Sequence, residues 1–293
     1  MTIRQAAKLR AKFINTKRDL LTKNVSAIER KLYNAVLDKL ISELEVSDGK
    51  IVNNNKNIDL TTVLDKIIKD FNNNEFAKVI RLFANDLLSI EGLNKTYFSI
   101  IEKDQQKLNE ISKDVNKELN KKLGLDEKGA VKKNGYLDKL AKDTKLKVKL
   151  KKITYNAVIK GKPIDDFKKQ MKTLVQGDAK VNGELTKHMN TFAYDTYQQF
   201  DRTAGEMFAE QLSLNAFIYN GGKIDTTREF CRERNGKVFT IDEAMGWKKL
   251  EWDGKNKNYN PLQDAGGYNC RHTLDYISNQ MAIRLRPELK GKI

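Results

Sequence analysis

The sequence predicts an α+β protein: a mainly α-helical amino-terminal two-thirds followed by a small mixed α/β module. Three observations predict it. Apolar residues recur every three or four positions through most of the first 210 residues, the spacing that places them on one side of an α-helix. Only three prolines interrupt a chain of 293 residues. After Leu214 the pattern changes to short β-branched and aromatic runs separated by glycine-rich turns.

Val25, Ile28, Leu32, Val36, Leu40 and Leu44 predict one long helix or a helix pair over 7–46, and Asp48-Gly49 with the tract Asn53–Asn57 ends it. Helices are expected over 59–71 (stripe Leu60, Val63, Leu64, Ile67, Ile68) and 75–89 (Phe76, Val79, Ile80, Phe83, Leu87). A further one is expected over 94–123, carrying Ile101, Leu108, Ile111 and Val115. Residues 124–135 are rich in Gly, Asp and Lys and read as a connection. Helical stretches follow at 136–140 and 146–159. Gly161-Lys162-Pro163 stops the second, because proline disfavours the helical conformation of the residue before it. Helices over 164–175 and 181–212 complete this part, with Gly177 and Gly183 as punctuation. Strands are expected at 216–220, 236–240 and 273–277, with a short helix at 241–247. The domain reading is linear: a helical arm or bundle over 1–130, a helical segment over 131–215 leading into the module, and the module over 216–293.

Lys and Arg number 55 against 39 Asp and Glu, a net charge of +16, so a polyanion such as packaged nucleic acid or an acidic protein surface is an expected neighbour. The lysines are spread along the helices, and a solvated surface accounts for part of the excess. No run of about 18 apolar residues occurs, so no membrane span is expected. The opening residues lack the apolar core of a signal peptide, and retention without export is the expectation.

Chemistry-bearing residues concentrate in two boxes. Asp225-Thr226-Thr227-Arg228-Glu229-Phe230-Cys231 is answered by Gly266-Gly267-Tyr268-Asn269-Cys270-Arg271-His272, and together they hold both cysteines and one of the two histidines. Cys231, Cys270 and His272 are the side-chain types of a zinc or iron site, which a strand-turn geometry would bring together. A structural zinc site closes with four ligands, and Asp225, His188 or Asp264 is the candidate fourth. A disulfide, or two buried thiols, fits the same residues. A catalytic Cys231–His272–Asp225 arrangement can be drawn, but no neighbouring signature supports it, and an enzyme is not the expectation. Arg228, Arg232, Arg234 and Arg271 make the boxes a cationic locus. Arg228 and Arg271 either bind an anion or pair internally with Asp225 and Asp275. Trp247, Trp252, Tyr259 and Tyr268 read as packing, His188 as a helix residue, and no phosphate-cradling glycine loop occurs.

These residues resemble the phage Mu F-like minor head proteins, also called head morphogenesis proteins. The matching elements are Tyr219-Asn220-Gly221, the box ending in Cys231, Asn235-Gly236-Lys237-Val238-Phe239, and the box ending in His272. Tyr194-Asp195-Thr196 and Gln199 sit on the helix leading in. The resemblance covers about 110 residues and does not extend before about residue 130. Members commonly end the second box with Cys-Arg-Cys, where this chain has Cys270-Arg271-His272. The resemblance implies a minor capsid or head-assembly protein of a virion, working in several copies beside the portal, the major capsid protein or the packaged DNA. It implies a place in the head or at the portal vertex, and in the host cytoplasm during assembly.

Overall fold

The computed structural model describes all residues except 143 and 144, and the side chains of Phe192 and Tyr194 also lie outside the described set. Helix α1 (Ile3–Lys39) opens on a reciprocal cap: Thr2 N donates to Gln5 Oε1 at 2.7 Å and Gln5 N donates to Thr2 Oγ1 at 3.2 Å. A two-residue hairpin follows, β1 (Val46–Ser47) and β2 (Lys50–Ile51), turning at Asp48 and Gly49, both with positive φ. The Asn-rich tract, expected as a breaker, instead starts α2 (Asn55–Asp59), with Asn54 Oδ1 accepting from Asn57 N. Asparagine serves as a helix cap as readily as it serves in turns.

Helices α3 (Val63–Phe71) and α4 (Ala77–Phe98) are joined by a π-helical turn over Asn72–Phe76. The two helices expected at 59–71 and 75–89 therefore run on without a loop. The helix expected over 94–123 is split: α4 ends at Phe98, and α5 (Gln105–Leu123) starts where Asp104 accepts from Gln106 N and Lys107 N. Gly124, at φ 72°, closes α5 in the left-handed conformation. Then come α6 (Tyr136–Lys142), α7 (Leu146–Ile159), α8 (Ile164–Gln176) and α9 (Glu184–Gln211).

The carboxy-terminal part contains β3 (Ala216–Asn220), α10 (Glu229–Arg234), β4 (Val238–Thr240), α11 (Ile241–Gly246), α12 (Pro261–Asp264), β5 (Thr273–Ile277) and α13 (Asn279–Leu285). Its sheet is antiparallel with order β4-β3-β5. The α+β class holds. The first box, expected to lie on a strand-turn, includes helix α10.

The chain forms two compact units that cut across the expected linear division. Unit 1 combines Met1–Arg18, Asn85–Ala130 and Ala193–Ile293, and unit 2 combines Asp19–Ala84 and Val131–Phe192. The expected arm over 1–130 is therefore no separate body, because α1 and α4 each contribute residues to both units.

In unit 2, Asn57 is fully buried and braces the hairpin: its amide donates to the carbonyls of Glu45 (2.9 Å) and Val52 (2.7 Å) and accepts from Glu45 N (2.8 Å). Glu29 is also buried, accepting from Thr186 N at 2.7 Å and Thr186 Oγ1 at 2.8 Å, and burial raises its pKa.

In unit 1 the sheet separates two environments, since alternate strand residues point to opposite faces. Ala216 pairs with Ile277 and Ile218 with Asp275; this face carries an apolar cluster that includes Ala282 and Leu289, with Ile3 against it. Phe217 pairs with Tyr276 and Tyr219 with Leu274 on the other face, where Trp247, Phe239 and Phe230 form an aromatic layer. On the first face sits a charged network with almost no exposure. Arg10 Nη2 donates to Asp275 Oδ1 at 2.7 Å and Arg10 Nη1 to Asn94 Oδ1 at 3.1 Å. Arg10 Nε lies 3.0 Å from Asp201 Oδ1, a charge contact outside hydrogen-bond alignment, and Asn94 Nδ2 donates to the same oxygen. Burial lowers the pKa of Arg10, but the charges of Asp201 and Asp275 outweigh it and the pKa is raised.

Candidate metal centre

Tyr219 ends the inward alternation of β3, Cys231 sits on the buried side of α10, and Cys270 and His272 lead into β5. All four are buried: Tyr219 is 0%, Cys231 2%, Cys270 3% and His272 4% exposed. The two Sγ atoms are 4.0 Å apart, and Cys270 Sγ is 3.7 Å from His272 Nδ1. Ligand atoms of Cys231, Cys270 and His272 all lie within 4.8 Å of one another. The Tyr219 hydroxyl donates to Cys231 Sγ at 3.3 Å and stands 3.6 Å from Cys270 Sγ, and its ring stacks on His272 with centroids 5.0 Å apart.

The surroundings hold these groups in place. Gly266 N donates to Cys270 Sγ at 3.2 Å, and a Cβ at Gly266 would fall 2.3 Å from Cys231 Sγ and 3.0 Å from Cys270 Sγ. Only a residue without a side chain lets this loop approach the sulfurs so closely. Trp252 Nε1 donates to Gly266 O at 3.0 Å, and the Tyr259 hydroxyl donates to Ala265 O at 2.6 Å. Arg202, 3% exposed on α9, reaches three backbone carbonyls of the second box and its approach: Cys270 at 2.8 Å, His272 at 2.7 and 3.0 Å, and Gln263 at 2.9 Å.

The thiols are not equivalent. Cys270 is made acidic by the hydrogen bond from Cys231, by the charge of Arg202 and by His272, whereas Cys231 is pushed up by the same shared bond and by burial. Desolvation and the neighbouring sulfurs raise the Tyr219 phenol. His272 Nε2 is buried with no hydrogen-bond partner among the described residues.

The other residues singled out in the sequence go elsewhere. Asp225 is exposed in the loop before α10 and is no part of the cluster; its carbonyl accepts from Arg232 Nη2 at 2.7 Å. Asp264 is engaged by Asn256 Nδ2 and Asn260 N, each at 2.7 Å. His188 belongs to unit 2, its Nε2 3.0 Å from Leu140 O. The internal pairing expected for Arg228 and Arg271 with Asp225 and Asp275 is replaced, since Asp275 is held by Arg10 and by Asn220 Nδ2 at 2.9 Å. The Arg228 guanidinium packs over Gly254, where a Cβ would fall 2.5 Å from Nη2, and Arg271 is exposed. Arg234 lies over the Phe230 ring at 3.7 Å, and Phe230 stacks on Trp252 at 3.9 Å. Of the expected aromatic packing residues, Trp247 and Tyr259 are buried, while Tyr268 is exposed. Tyr194, one of the residues carrying the resemblance, has its side chain outside the described set, as does Phe192 beside Met189.

Sequence reading quoted Tyr219 in the resemblance and Gly266 in the second box without giving either a role at the cysteines, and it did not single out Arg202. For Arg202 a signal existed: Asp201-Arg202 sits in a helix between Phe200 and the small residues Thr203, Ala204 and Gly205, and all six are buried. A charged pair in such a stretch implies buried partners.

Comparison with protein-family models, curated proteins and solved structures finds no match for this chain. No helix among the described residues is long and apolar enough to cross a membrane.

Proposed function

We propose that the chain is a structural component of a tailed-phage head, a minor capsid or head morphogenesis protein without catalytic turnover, present in several copies beside the portal or the major capsid protein. The convergence of the two cysteine-bearing boxes carries this reading, because those boxes also carry the resemblance to the Mu F-like proteins. Their meeting point supports a structural role: Cys231, Cys270 and His272 are buried, and Arg202, Arg232 and Arg234 are engaged by loop carbonyls and an aromatic ring. A nucleophile working on an external substrate needs an approach that buried thiols do not offer. Co-expression with portal and capsid genes tests the proposal. The chain is expected in purified heads at a fixed copy number, and Cys231→Ser is expected to lower that number; a chain that never sediments with heads or portals refutes it.

Contact with packaged DNA has separate support. The lysine excess is not evenly spread: residues 132–172 contain fourteen lysines against four aspartates, ten of the sixteen excess charges. Lys139, Lys152, Lys160, Lys169 and Lys172 of this stretch are exposed and make no ion pair with a described residue. A shallow groove beside α7 and α8 is lined by Lys162, Lys169 and Lys187. Residues 132–172 contain no arginine, and lysine without arginine forks suits the phosphate backbone and not base edges. Duplex DNA is therefore expected to bind without sequence preference, with log affinity falling linearly in log salt. Replacing Lys152, Lys169 and Lys172 by glutamine should flatten that slope by about one unit per lysine. An unchanged slope removes this surface from DNA contact.

A further inference from the structure

We infer that the module is closed by a single zinc ion held by Cys231 Sγ, Cys270 Sγ, His272 Nδ1 and the phenol oxygen of Tyr219, with Tyr219 in the place that the sequence offered to Asp225. The inference is independent of the virion reading and rests on four distances. A tetrahedral zinc with bonds of about 2.3 Å to sulfur and about 2.0 Å to nitrogen or oxygen separates its ligands by about 3.8 Å for S···S and about 3.5 Å for S···N and S···O. The corresponding separations are 4.0 Å for the sulfurs, 3.7 Å for Cys270 Sγ to His272 Nδ1, and 3.3 and 3.6 Å for Tyr219 Oη to the two sulfurs. Each lies within a few tenths of an ångström of a tetrahedral edge. A disulfide requires sulfurs about 2.05 Å apart, and at 4.0 Å these two are far from bonded.

The chemistry of the donor set agrees. Two thiolates neutralise a divalent ion, so a site with neutral imidazole and phenol carries no net charge into a buried location. Two sulfurs, one nitrogen and one oxygen, with four of their six separations near tetrahedral values, favour zinc over the hard cations, which take oxygen ligands in larger number. An outer shell is built around Cys270 and the turn, whereas His272 Nε2 has no acceptor among the described residues. Gly266 N–H points at Cys270 Sγ, Arg202 fixes the carbonyls on either side of the Cys270-Arg271-His272 turn, and the Tyr219 ring lies against the imidazole. Such partners hold ligands in the orientation the ion needs. Coordination through Nδ1 places the imidazole proton on Nε2. The ion would join α10 to the turn before β5.

The test uses the full chain. Purified from zinc-supplemented medium, it should carry about one equivalent of zinc by elemental analysis. After chelation and reloading with cobalt(II), it should show the visible bands of a tetrahedral ion together with near-ultraviolet thiolate charge-transfer bands. Cys231→Ser and His272→Ala should weaken binding by more than about 100-fold. Tyr219→Phe, which keeps the ring stack, should weaken it by at least the roughly 10–100-fold that loss of an outer-shell partner costs. Because the cysteine variant can fail to fold, the wild-type chain supplies a second measurement: titrating both thiols with a mercurial should release zinc in step with sulfur modification. A folded chain with free thiols and no zinc, cobalt bound without thiolate bands, or a Cys231–Cys270 disulfide in the metal-loaded preparation each overturns the assignment. Unchanged affinity in Tyr219→Phe removes the phenol from the ligand set and overturns the site as stated.

Discussion

Replacing Arg10 by alanine is expected to destabilise unit 1 by about 3–5 kcal/mol, the cost of removing one partner from a buried ion pair. The side chain is 2% exposed and faces two buried carboxylates, Asp201 at 1% and Asp275 at 6% exposure. Without the guanidinium those carboxylates are left unscreened beside each other, and burial already raises the pKa of Asp201. The variant should therefore regain part of its stability as pH falls. A carboxyl whose folded pKa is raised is least costly below its unfolded pKa, and the penalty grows as pH rises through the folded value. Urea unfolding of both proteins at several pH values checks this. Asp201→Asn in the Arg10→Ala background should recover part of the loss, because it removes one of the stranded charges; a purely additive pair of losses would show that packing, not charge, is responsible.

The second large effect is expected at Arg202. Its four hydrogen bonds reach the carbonyls of Gln263, Cys270 and His272. Arg202→Ala leaves those carbonyls without their donors, at about 1–3 kcal/mol for each that is buried, so a loss of at least about 2 kcal/mol is expected from Cys270 and His272. The loss should be accompanied by faster reaction of Cys270 with a thiol reagent, since the loop that covers it is no longer tied to α9. Arg202→Lys should recover little: an ammonium is a point donor and cannot span three carbonyls. Chemical denaturation and thiol-modification rates measured together check both statements. Wild-type thiol reactivity in a destabilised Arg202→Ala would mean that the loop stands without this tie.

The helices were legible in the sequence wherever burial is one-sided. Ile67, Ile68, Phe76, Phe83, Leu108, Ile111 and Val115 were read as stripe residues, and all are buried. Strands at 216–220 and 273–277 were legible from their composition and flanking turns. The break at 99–104 was not, because Ile100 and Ile101 continue an apolar rhythm although α4 ends at Phe98 and Asp104 caps the start of α5. Convergence of Cys231, Cys270 and His272 was legible from rarity alone. Their fourth neighbour was not: Tyr219 is an unremarkable strand tyrosine until strand register turns it toward the sulfurs, whereas Asp225 drew notice by its closeness in sequence to Cys231. The division into units was beyond linear reading for the same reason. Contacts such as Arg10 with Asp275, 265 positions apart, leave no local trace in either segment.

That separation has a consequence for synthesis. A ribosome adds about 5–20 residues per second, so tens of seconds pass between the appearance of Arg10 and that of Asp275. The guanidinium of the nascent amino-terminal helix meets Asn94 and Asp201 only after those are made, and its second carboxylate, Asp275, comes last. Completion of unit 1 is a late event that recruits its earliest-made stretch last.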